Sequence, residues 1–412
     1  MEPGSPRDRE KSLDLQFSKV EEARKSVKVM RVTDRDIPCG MRALKVAFVV
    51  QGEGRGHMTQ ALALGAFLRD AGHEIVEVLV GRSPHRSIPG YFIDGMHAPV
   101  RPFDAPVQVA GRERQGLSLG RTLADAVRRS PAFFRSLVAI AERTAEADVV
   151  VNFLDFLGGL SRALFPTDVP SLAVAHNYVF LHPDLRDAPG PTRVRRAVMA
   201  YARATAAGSE RKLALSFRAL PPGPDGTLEI TPPLLRPGLG ALHVREGDYL
   251  LAYALNPGYA ETLAAWQGGR STVPVHCYVE GGEDALTSAP PAGFHAHTLS
   301  DSAFLDHLAG CRAYVGSAGF ESLCEAYFLG KPALAVPTDG QFEQVLNAWD
   351  AQRNGVARWG SYDDLEEFWR TPASPSAADT AEFQRWVARA PEVFVEAVER
   401  AARGDAPRGE HG

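Results

Sequence analysis

Short runs of β-branched and other apolar residues alternate with longer helical stretches along most of the chain, and no other feature constrains the fold as strongly. The runs include LKVAFVV, EIVEVLVG, ADVVVNFL and PSLAVAH in the first half, and YLLAYAL, VPVHCYVE, CRAYVGS and PALAVP in the second. Continuous apolar runs are typical of parallel strands that are buried on both faces. Their alternation with helices predicts an α/β protein with two doubly wound domains that face each other across a cleft.

Chain length and the positions of the prolines predict where the two domains divide. A chain of 412 residues is long enough for two well-buried cores. The stretch TPPLLRPGL indicates a link between domains, which predicts a first domain over 41–235 and a second over 236–378. Residues 379–412 are expected to form a mostly helical ending that is interrupted at Pro391. Residues 1–40 are charged and poor in large apolar side chains, so we expect a disordered extension there.

Composition argues against several classes of function. A net charge of −5 offers no basic surface for nucleic acid, so no nucleic-acid partner is expected. No apolar run approaches the roughly 18 residues that span a bilayer, and the N-terminus lacks the apolar core of a signal peptide. The 4 cysteines lie far apart without a CxxC pair, which favours free thiols in a reducing compartment. We therefore expect a cytoplasmic protein.

The segment GEGRGH follows the first predicted strand and precedes a helical stretch. Its glycines, Gly52, Gly54 and Gly56, suit a tight turn that lets the main chain approach a ligand. A helix N-terminus at this point offers unpaired N–H groups to an anion, so the loop is a candidate phosphate or acceptor loop. The spacing differs from the GxGxxG pattern of dinucleotide sites, and Glu77 lies inside the second strand rather than at its tip. Both observations argue against a nicotinamide or flavin site.

His57 follows this loop and is the first candidate catalytic residue. At the start of the helix it can face a ligand as a base or as a donor to phosphate, while a capping or packing role is the alternative. A histidine base needs an orienting partner, and Asp155 stands where a later parallel strand ends. By the same strand-end argument, His176 and Asn177 are candidates for an acceptor pocket.

A second glycine loop, in the other half of the chain, carries more chemical detail. The strand CRAYVG leads into small and polar residues at a loop and helix start: Gly316, Ser317, Gly319, Ser322 and Glu325. A helix N-terminus with small residues suits a pyrophosphate, and a carboxylate farther along the helix suits a ribose diol. After the next strand, the carboxylate of Glu343 and the amide of Gln344 suit the hydroxyls of a sugar.

These residues resemble the donor-sugar signature of GT-B glycosyltransferases, in the branch that contains UDP-glycosyltransferases and the peptidoglycan N-acetylglucosaminyltransferase. The signature reads H-x-G-x-x-[ST]-x-x-E, then G-x-P-x-x-x-x-P, then an acidic residue and Gln, with Asn three residues after that Gln. The chain matches it at Gly319, Ser322, Glu325, Gly330, Pro332, Pro337, Glu343, Gln344 and Asn347. Gly56 and His57 match the Gly-His of the family's first loop, whereas Ser317 replaces the histidine that contacts a phosphate in many members.

The resemblance implies a GT-B fold, in which two Rossmann-like domains face across a cleft and a C-terminal helix crosses back to the first domain. It implies a nucleotide-sugar donor as co-substrate, usually a UDP-sugar, with no further cofactor and no metal ion. It also implies inverting transfer to a hydroxyl acceptor. In that scheme the second loop and Ser322 hold phosphate, Glu325 holds the ribose, and Glu343 with Gln344 holds the sugar, while His57 with Asp155 deprotonates the acceptor.

Two alternatives stay open at this point. One is a nucleotide-sugar 2-epimerase of the same architecture, which needs no second substrate. The other is a nucleotide-sugar-binding protein without catalysis, which is favoured if Asp155 does not approach His57. The sequence does not name the acceptor, which fits a small molecule, a lipid or a glycan equally well, and a peripheral membrane contact stays open with it.

Overall fold

The structure is a computed structural model, and it describes residues 42–53, 55–82, 88–106, 130–269 and 272–405. The predicted extension over 1–40 and the loop residue Gly54 lie outside the described residues. Within the described residues, the strands form one sheet of seven and one sheet of six. Because every strand pair is parallel, the structure agrees with the two doubly wound sheets that the apolar runs predict.

The first sheet carries the first glycine loop at its carboxyl edge. Its strands are β1 (Lys45–Val50), β2 (Glu74–Arg82), β3 (Val100–Asp104), β4 (Val149–Phe153), β5 (Ser171–Ala175), β6 (Arg211–Leu215) and β7 (Leu228–Thr231). They are ordered β3-β2-β1-β4-β5-β6-β7. The order reverses beside β1, so the loops after β1 and β4 flank the point where ligands bind in open α/β sheets.

The second sheet places the second glycine loop in the equivalent position. Its strands are β8 (Leu250–Tyr253), β9 (Val275–Tyr278), β10 (Phe294–His297), β11 (Ala313–Gly316), β12 (Ala333–Ala335) and β13 (Arg358–Trp359). They are ordered β10-β9-β8-β11-β12-β13. The order reverses beside β8, and the loop after its neighbour β11 is the second glycine loop.

Helices connect the strands, because parallel neighbours need a long crossover connection. They are α1 (Gly56–Asp70), α2 (Gly90–Met96), α3 (Ser130–Arg143), α4 (Phe156–Leu164), α5 (Thr192–Thr205), α6 (Pro257–Gly268), α7 (Asp301–Gly310), α8 (Phe320–Phe328), α9 (Phe342–Arg353), α10 (Leu365–Arg370), α11 (Ala377–Ala388) and α12 (Ala390–Arg403). Among the described residues, no helix combines the length and the apolar character that crossing a bilayer requires.

Two strands at the edges of the sheets were not predicted from the sequence. β3 has the sequence VRPFD, in which proline and charge interrupt the apolar run. β13 is only two residues long. Each pairs with a single neighbour, so half of its main-chain groups face away from the sheet and an apolar run is not required.

The end of the chain crosses back onto the first domain. Helix α11 ends before Arg389, and Pro391 lies in the first turn of α12, where a proline needs no hydrogen-bond partner for its nitrogen. α12 buries Phe394 and Val398 in the core that includes β1 and β4. Arg400 of α12 pairs with Glu229 of β7 at 2.8 Å. The predicted fold class, with two Rossmann-like domains and a returning C-terminal helix, is confirmed.

Candidate active site

The first glycine loop joins β1 to α1, and neighbouring atoms lie close to two of its glycines. A Cβ atom on Gly52 would overlap the main-chain oxygen of Gly81 in β2. A Cβ atom on Gly56 would overlap the carboxylate of Glu321, which approaches from the second domain. Glycine at position 56 therefore lets a group of the second domain reach the N-terminus of α1, where the helix dipole stabilises negative charge.

His57, the second residue of α1, is half-buried and hydrogen-bonds through Nδ1 to Oε1 of Gln60 at 3.3 Å. Nε2 of Gln60 donates in turn to Oε1 of Glu321. Because a carboxylate only accepts, the amide nitrogen of Gln60 faces Glu321 and its oxygen faces His57. Nδ1 of His57 then carries the proton, and Nε2 is the basic nitrogen. The sequence analysis did not find Gln60; its i+3 spacing from His57 is the one signal for it.

Asp155 lies directly beyond the end of β4, but its side chain does not orient His57. Its Oδ1 accepts a hydrogen bond from the main-chain N of Gly158 at 2.8 Å, so the carboxylate caps the N-terminus of α4. Burial raises the pKa of Asp155 to about 7, and the N–H groups of Gly158 and Leu157 partly oppose that rise. Within the described residues no hydrogen bond joins Asp155 to His57. In the described residues His57 pairs with Gln60 and Asp155 caps its own helix, and the catalytic role of His57 and Asp155 stays a prediction.

His176 and Asn177 start the 3₁₀ helix that follows β5, and both are almost fully buried. Nδ1 of His176 donates to the main-chain oxygen of Leu215 at 2.8 Å. The His176 ring stacks on Phe320 at the start of α8, with ring centroids 3.8 Å apart and planes at 10°. Burial lowers the pKa of His176 to about 3, so the ring is neutral and suited to packing the two domains together. The acceptor-pocket role of His176 and Asn177 stays a prediction.

The second glycine loop leaves the N-terminus of α8 open. Gly319 is the N-cap residue and has no side chain with which to cap the helix. Among the described residues, a Cβ atom on Gly319 would meet only Oγ of Ser322, at 3.6 Å. Oγ of Ser322 itself donates to the main-chain oxygen of Gly319 at 3.2 Å. The first N–H groups of α8 are therefore available to an anion, and the space beside Gly319 admits it.

The other residues of the second glycine loop are held in place by Tyr314 on β11 and by Asn347 on α9. A Cβ atom on Gly316 would overlap the hydroxyl of Tyr314, and Ser317 is buried. Ala318 has a φ of 47°, in the left-handed region, which costs a non-glycine residue about 1–2 kcal/mol. The main-chain oxygen of Ala318 accepts a hydrogen bond from Nδ2 of Asn347 at 3.1 Å. Asn347 of helix α9 therefore holds the loop in place, and the free energy of this hydrogen bond offsets part of the strain at Ala318.

Glu325 lies in α8 and is fully buried. Its Oε1 is 2.9 Å from Nε of Arg236, a residue of the segment between the two sheets. The Arg236 guanidinium also lies over the ring of Phe304, 5.2 Å from its centroid. The ribose role of Glu325 stays a prediction, and the structure adds Arg236 as the group with which a ribose would have to compete.

Glu343 and Gln344 lie in the first turn of α9 but make different contacts. Burial raises the pKa of Glu343, and electrostatic interaction with His57 and a hydrogen bond with Asn177 oppose that rise. Gln344 instead stays within its own domain: its Oε1 accepts from the main-chain N of Thr338 at 2.7 Å. The sugar-binding role of Glu343 and Gln344 stays a prediction. Of the two, Glu343 is the one that interacts electrostatically with the candidate base.

A group of three histidines in the second domain was not found by the sequence analysis. His276, His297 and His307 place one ring nitrogen each within 4.8 Å of the others. Burial and the neighbouring histidines lower the pKa of His276 to about 4. The signal for the group is the spacing HCY and HAH on neighbouring strands, which puts His276 and His297 on one face of a sheet.

Two parallel sheets, a glycine loop on each, and a helix that returns to the first domain are the architecture expected of a GT-B glycosyltransferase. The chain belongs to glycosyl transferase family 1, whose sequence profile matches residues 44–369. This match includes every strand of both sheets. The prediction of a glycosyltransferase is thereby confirmed, while the branch within the GT-B class stays a prediction.

Solved structures with the same fold agree with this class. The glycosyltransferase of kitacinnamycin has a TM-score of 0.57 and 17% identity, and the match covers 88% of this chain and 99% of that one. LpCGTa in complex with UDP has a TM-score of 0.56 and 15% identity, covering 88% and 100%. The calicheamicin glycosyltransferase CalG4 has a TM-score of 0.54 and 16% identity, covering 88% and 98%. No curated protein matches the chain by sequence.

Proposed function

We propose that this glycosyltransferase uses a UDP-sugar and transfers the sugar to a hydroxyl acceptor, with inversion and without a metal ion or other cofactor. The family supports sugar transfer, and the similar fold of LpCGTa, described in complex with UDP, supports the choice of nucleotide. One observation of this chain carries the donor site. The uncapped N-terminus of α8 lies behind the open space at Gly319, as a diphosphate requires.

The donor would lie along the second glycine loop. Its diphosphate would accept hydrogen bonds from the first N–H groups of α8 and from Ser322, and Gly316 and Ser317 would shape the loop. Negative charge builds on this diphosphate as the bond to the anomeric carbon breaks. N–H groups that are already fixed in place stabilise such charge without reorganisation, which is why no metal ion is required. Glu325 would then hold the ribose, and Glu343 with Gln344 the sugar hydroxyls.

His57 would act as the base on the acceptor side. Its Nε2 would take the proton of the acceptor hydroxyl while the acceptor oxygen bonds to the anomeric carbon and UDP leaves. Gln60 is a positioning residue, because its amide holds the Nδ1–H tautomer of His57 that leaves Nε2 basic. Glu343 interacts electrostatically with His57, so its carboxylate would stabilise the imidazolium that forms. We place the acceptor between α1 and Asn177, and its chemical class, together with any membrane contact, is left open.

A nucleotide-sugar-binding protein without catalysis is the second candidate, because Asp155 does not pair with His57. Two observations favour transfer over binding alone. The family match extends over both domains, and Gln60 supplies the orientation that was expected from Asp155. The two candidates differ in whether His57 is needed for turnover.

The donor assignment is tested by thermal shift with UDP, TDP and GDP, each with and without EDTA. We expect UDP to raise the melting temperature equally with and without EDTA, since the diphosphate is held by main-chain N–H groups. A shift that disappears in EDTA would refute metal-independent binding. No shift with any of the three nucleotides would refute the donor site.

The base assignment is tested by the initial rate of UDP release from UDP-glucose and UDP-N-acetylglucosamine, with water as the acceptor. We expect His57→Gln to lower this rate by about 100-fold or more, and Gln60→Ala to lower it less, while the affinity for UDP is kept. His243→Gln is the matched control, because His243 is exposed and lies outside the site. Equal rates for His57→Gln and His243→Gln would refute the base role and favour binding without His57-dependent catalysis.

A further inference from the structure

A histidine cluster, formed by His276, His297 and His307, lies on one face of the second sheet. His276 lies on β9 and His297 on β10, and the register of this parallel pair puts both side chains on the same face. Helix α7 follows β10 and brings His307 onto that face. All three residues are half-buried.

The nitrogens of the cluster lie close enough together to bind one metal ion. Nδ1 of His276 and Nε2 of His297 are 2.8 Å apart, with the two ring planes at 9°. In the absence of a metal ion, one of these nitrogens donates its N–H to the other, and a bound metal ion would take the place of that proton. A tetrahedral zinc ion with bonds of about 2.0–2.1 Å sets its ligands about 3.4 Å apart, within the range that the three histidines span.

Neighbouring groups fix the orientation of His307. Its Nδ1 lies 2.7 Å from the hydroxyl of Tyr278, which leaves Nε2 as the nitrogen that faces the cluster. The main-chain oxygen of His307 also accepts a hydrogen bond from the hydroxyl of Tyr249 at 2.7 Å. Outer hydrogen bonds of this kind hold the tautomer and ring orientation of histidine ligands in metal sites.

We propose that His276, His297 and His307 bind one Zn²⁺ ion, with water in the fourth position. Three imidazoles without a carboxylate ligand suit zinc and do not suit Mg²⁺ or Ca²⁺, which prefer oxygen ligands. The ion joins β9, β10 and α7, and so braces the edge of the second sheet. This role is separate from sugar transfer, because the ligands belong to other elements than the loop before α8.

The test uses the full chain, purified without a histidine tag, stripped with EDTA and dialysed against ZnCl₂. We expect one equivalent of bound zinc, and with Co²⁺ in its place an absorption spectrum of a tetrahedral site. His276→Gln and His307→Gln should each lower the zinc affinity by about 100-fold or more. Tyr278→Phe keeps all three ligands and should lower it by about tenfold, through loss of an outer hydrogen bond.

His295→Gln is the matched control, because His295 is exposed on the same strand as His297 and stacks on His276 at 5.0 Å. It should bind zinc within twofold of the unchanged protein. Circular dichroism confirms that each variant is folded, and Tyr278→Phe gives a second readout if a ligand variant is not. Zinc binding that is absent from the unchanged protein, or that survives unchanged in His276→Gln and His307→Gln, would overturn the proposal.

Discussion

Replacing Glu325 with leucine tests the link between the candidate donor site and the stability of the fold. Glu325 is fully buried, and its carboxylate lies 2.9 Å from Nε of Arg236, whose side chain is 16% exposed. Removing the carboxylate takes a charged partner away from a guanidinium that is largely shielded from water. Breaking a buried ion pair by removing one partner costs about 3–5 kcal/mol, which is a large part of the stability of an ordinary domain.

A double-mutant cycle with Arg236→Met separates this pair from other effects. The free energy of unfolding, measured by urea denaturation, should fall by about 3–5 kcal/mol in Glu325→Leu. It should fall by much less in the double variant Glu325→Leu with Arg236→Met, because no uncompensated charge remains. A double variant that loses the sum of the two single losses would show that the residues do not interact, and would refute this reasoning.

The same position has a second readout that depends on the ribose and not on the fold. If Glu325 accepts a hydrogen bond from the ribose, the protein binds UDP more tightly than 2′-deoxy-UDP, by the roughly 1.5–3 kcal/mol of a charged hydrogen bond. Glu325→Gln, which keeps the size of the side chain, should reduce this preference. Equal preferences in the unchanged protein and in Glu325→Gln would refute the ribose role, whatever the urea experiment shows.

Two further predictions concern the second glycine loop and Asp155. Gly319→Ala should fold with an unchanged melting temperature, since the new Cβ has room. It should lower the UDP affinity at least about tenfold, because the Cβ fills the space that the diphosphate would occupy at the N-terminus of α8. An unchanged UDP affinity would refute the donor site. The pKa of Asp155 is raised from 3.8 to about 7, so the folded state keeps a proton that the unfolded chain loses between about pH 4 and pH 7. As the pH rises through that window, the free energy of unfolding of the unchanged protein should therefore fall by on the order of 4 kcal/mol relative to that of Asp155→Asn, as measured by urea denaturation. If the two proteins show the same dependence of this free energy on pH, the prediction is wrong.

The class of fold could be predicted because its signal is local. A strand buried on both faces needs a continuous apolar run, as in β1 and β4, and each connection between parallel strands needs a helix. Both the apolar run and the helix can be recognised from residues that are neighbours in the sequence. The edge strands β3 and β13 were missed for the same reason, because a strand with one neighbour does not need such a run. The positions of both glycine loops followed from strand ends alone.

The partners of the site residues could not be predicted in this way. Asp155 stands at a strand end like other catalytic groups, yet its carboxylate caps α4 and His57 turns to Gln60. Gln60 gains its role only because Glu321 of the second domain reaches α1 beside Gly56. Such contacts depend on how the two domains pack against each other, and the spacing of residues along the chain does not predict that packing.

The sequence by itself determined two parallel sheets, a glycine loop on each and a helix start at Gly319, since periodicity and turn chemistry act over a few residues. The tertiary structure decided which charge neutralises Glu325, which amide orients His57, and that His276, His297 and His307 meet at all. The physical reason is that the Arg236–Glu325 pair, the contact of Glu321 that orients the Gln60 amide, and the histidine cluster each join segments that are separated in the chain. Strand order and domain packing, which arise only when the whole core is buried, bring those segments within hydrogen-bonding distance.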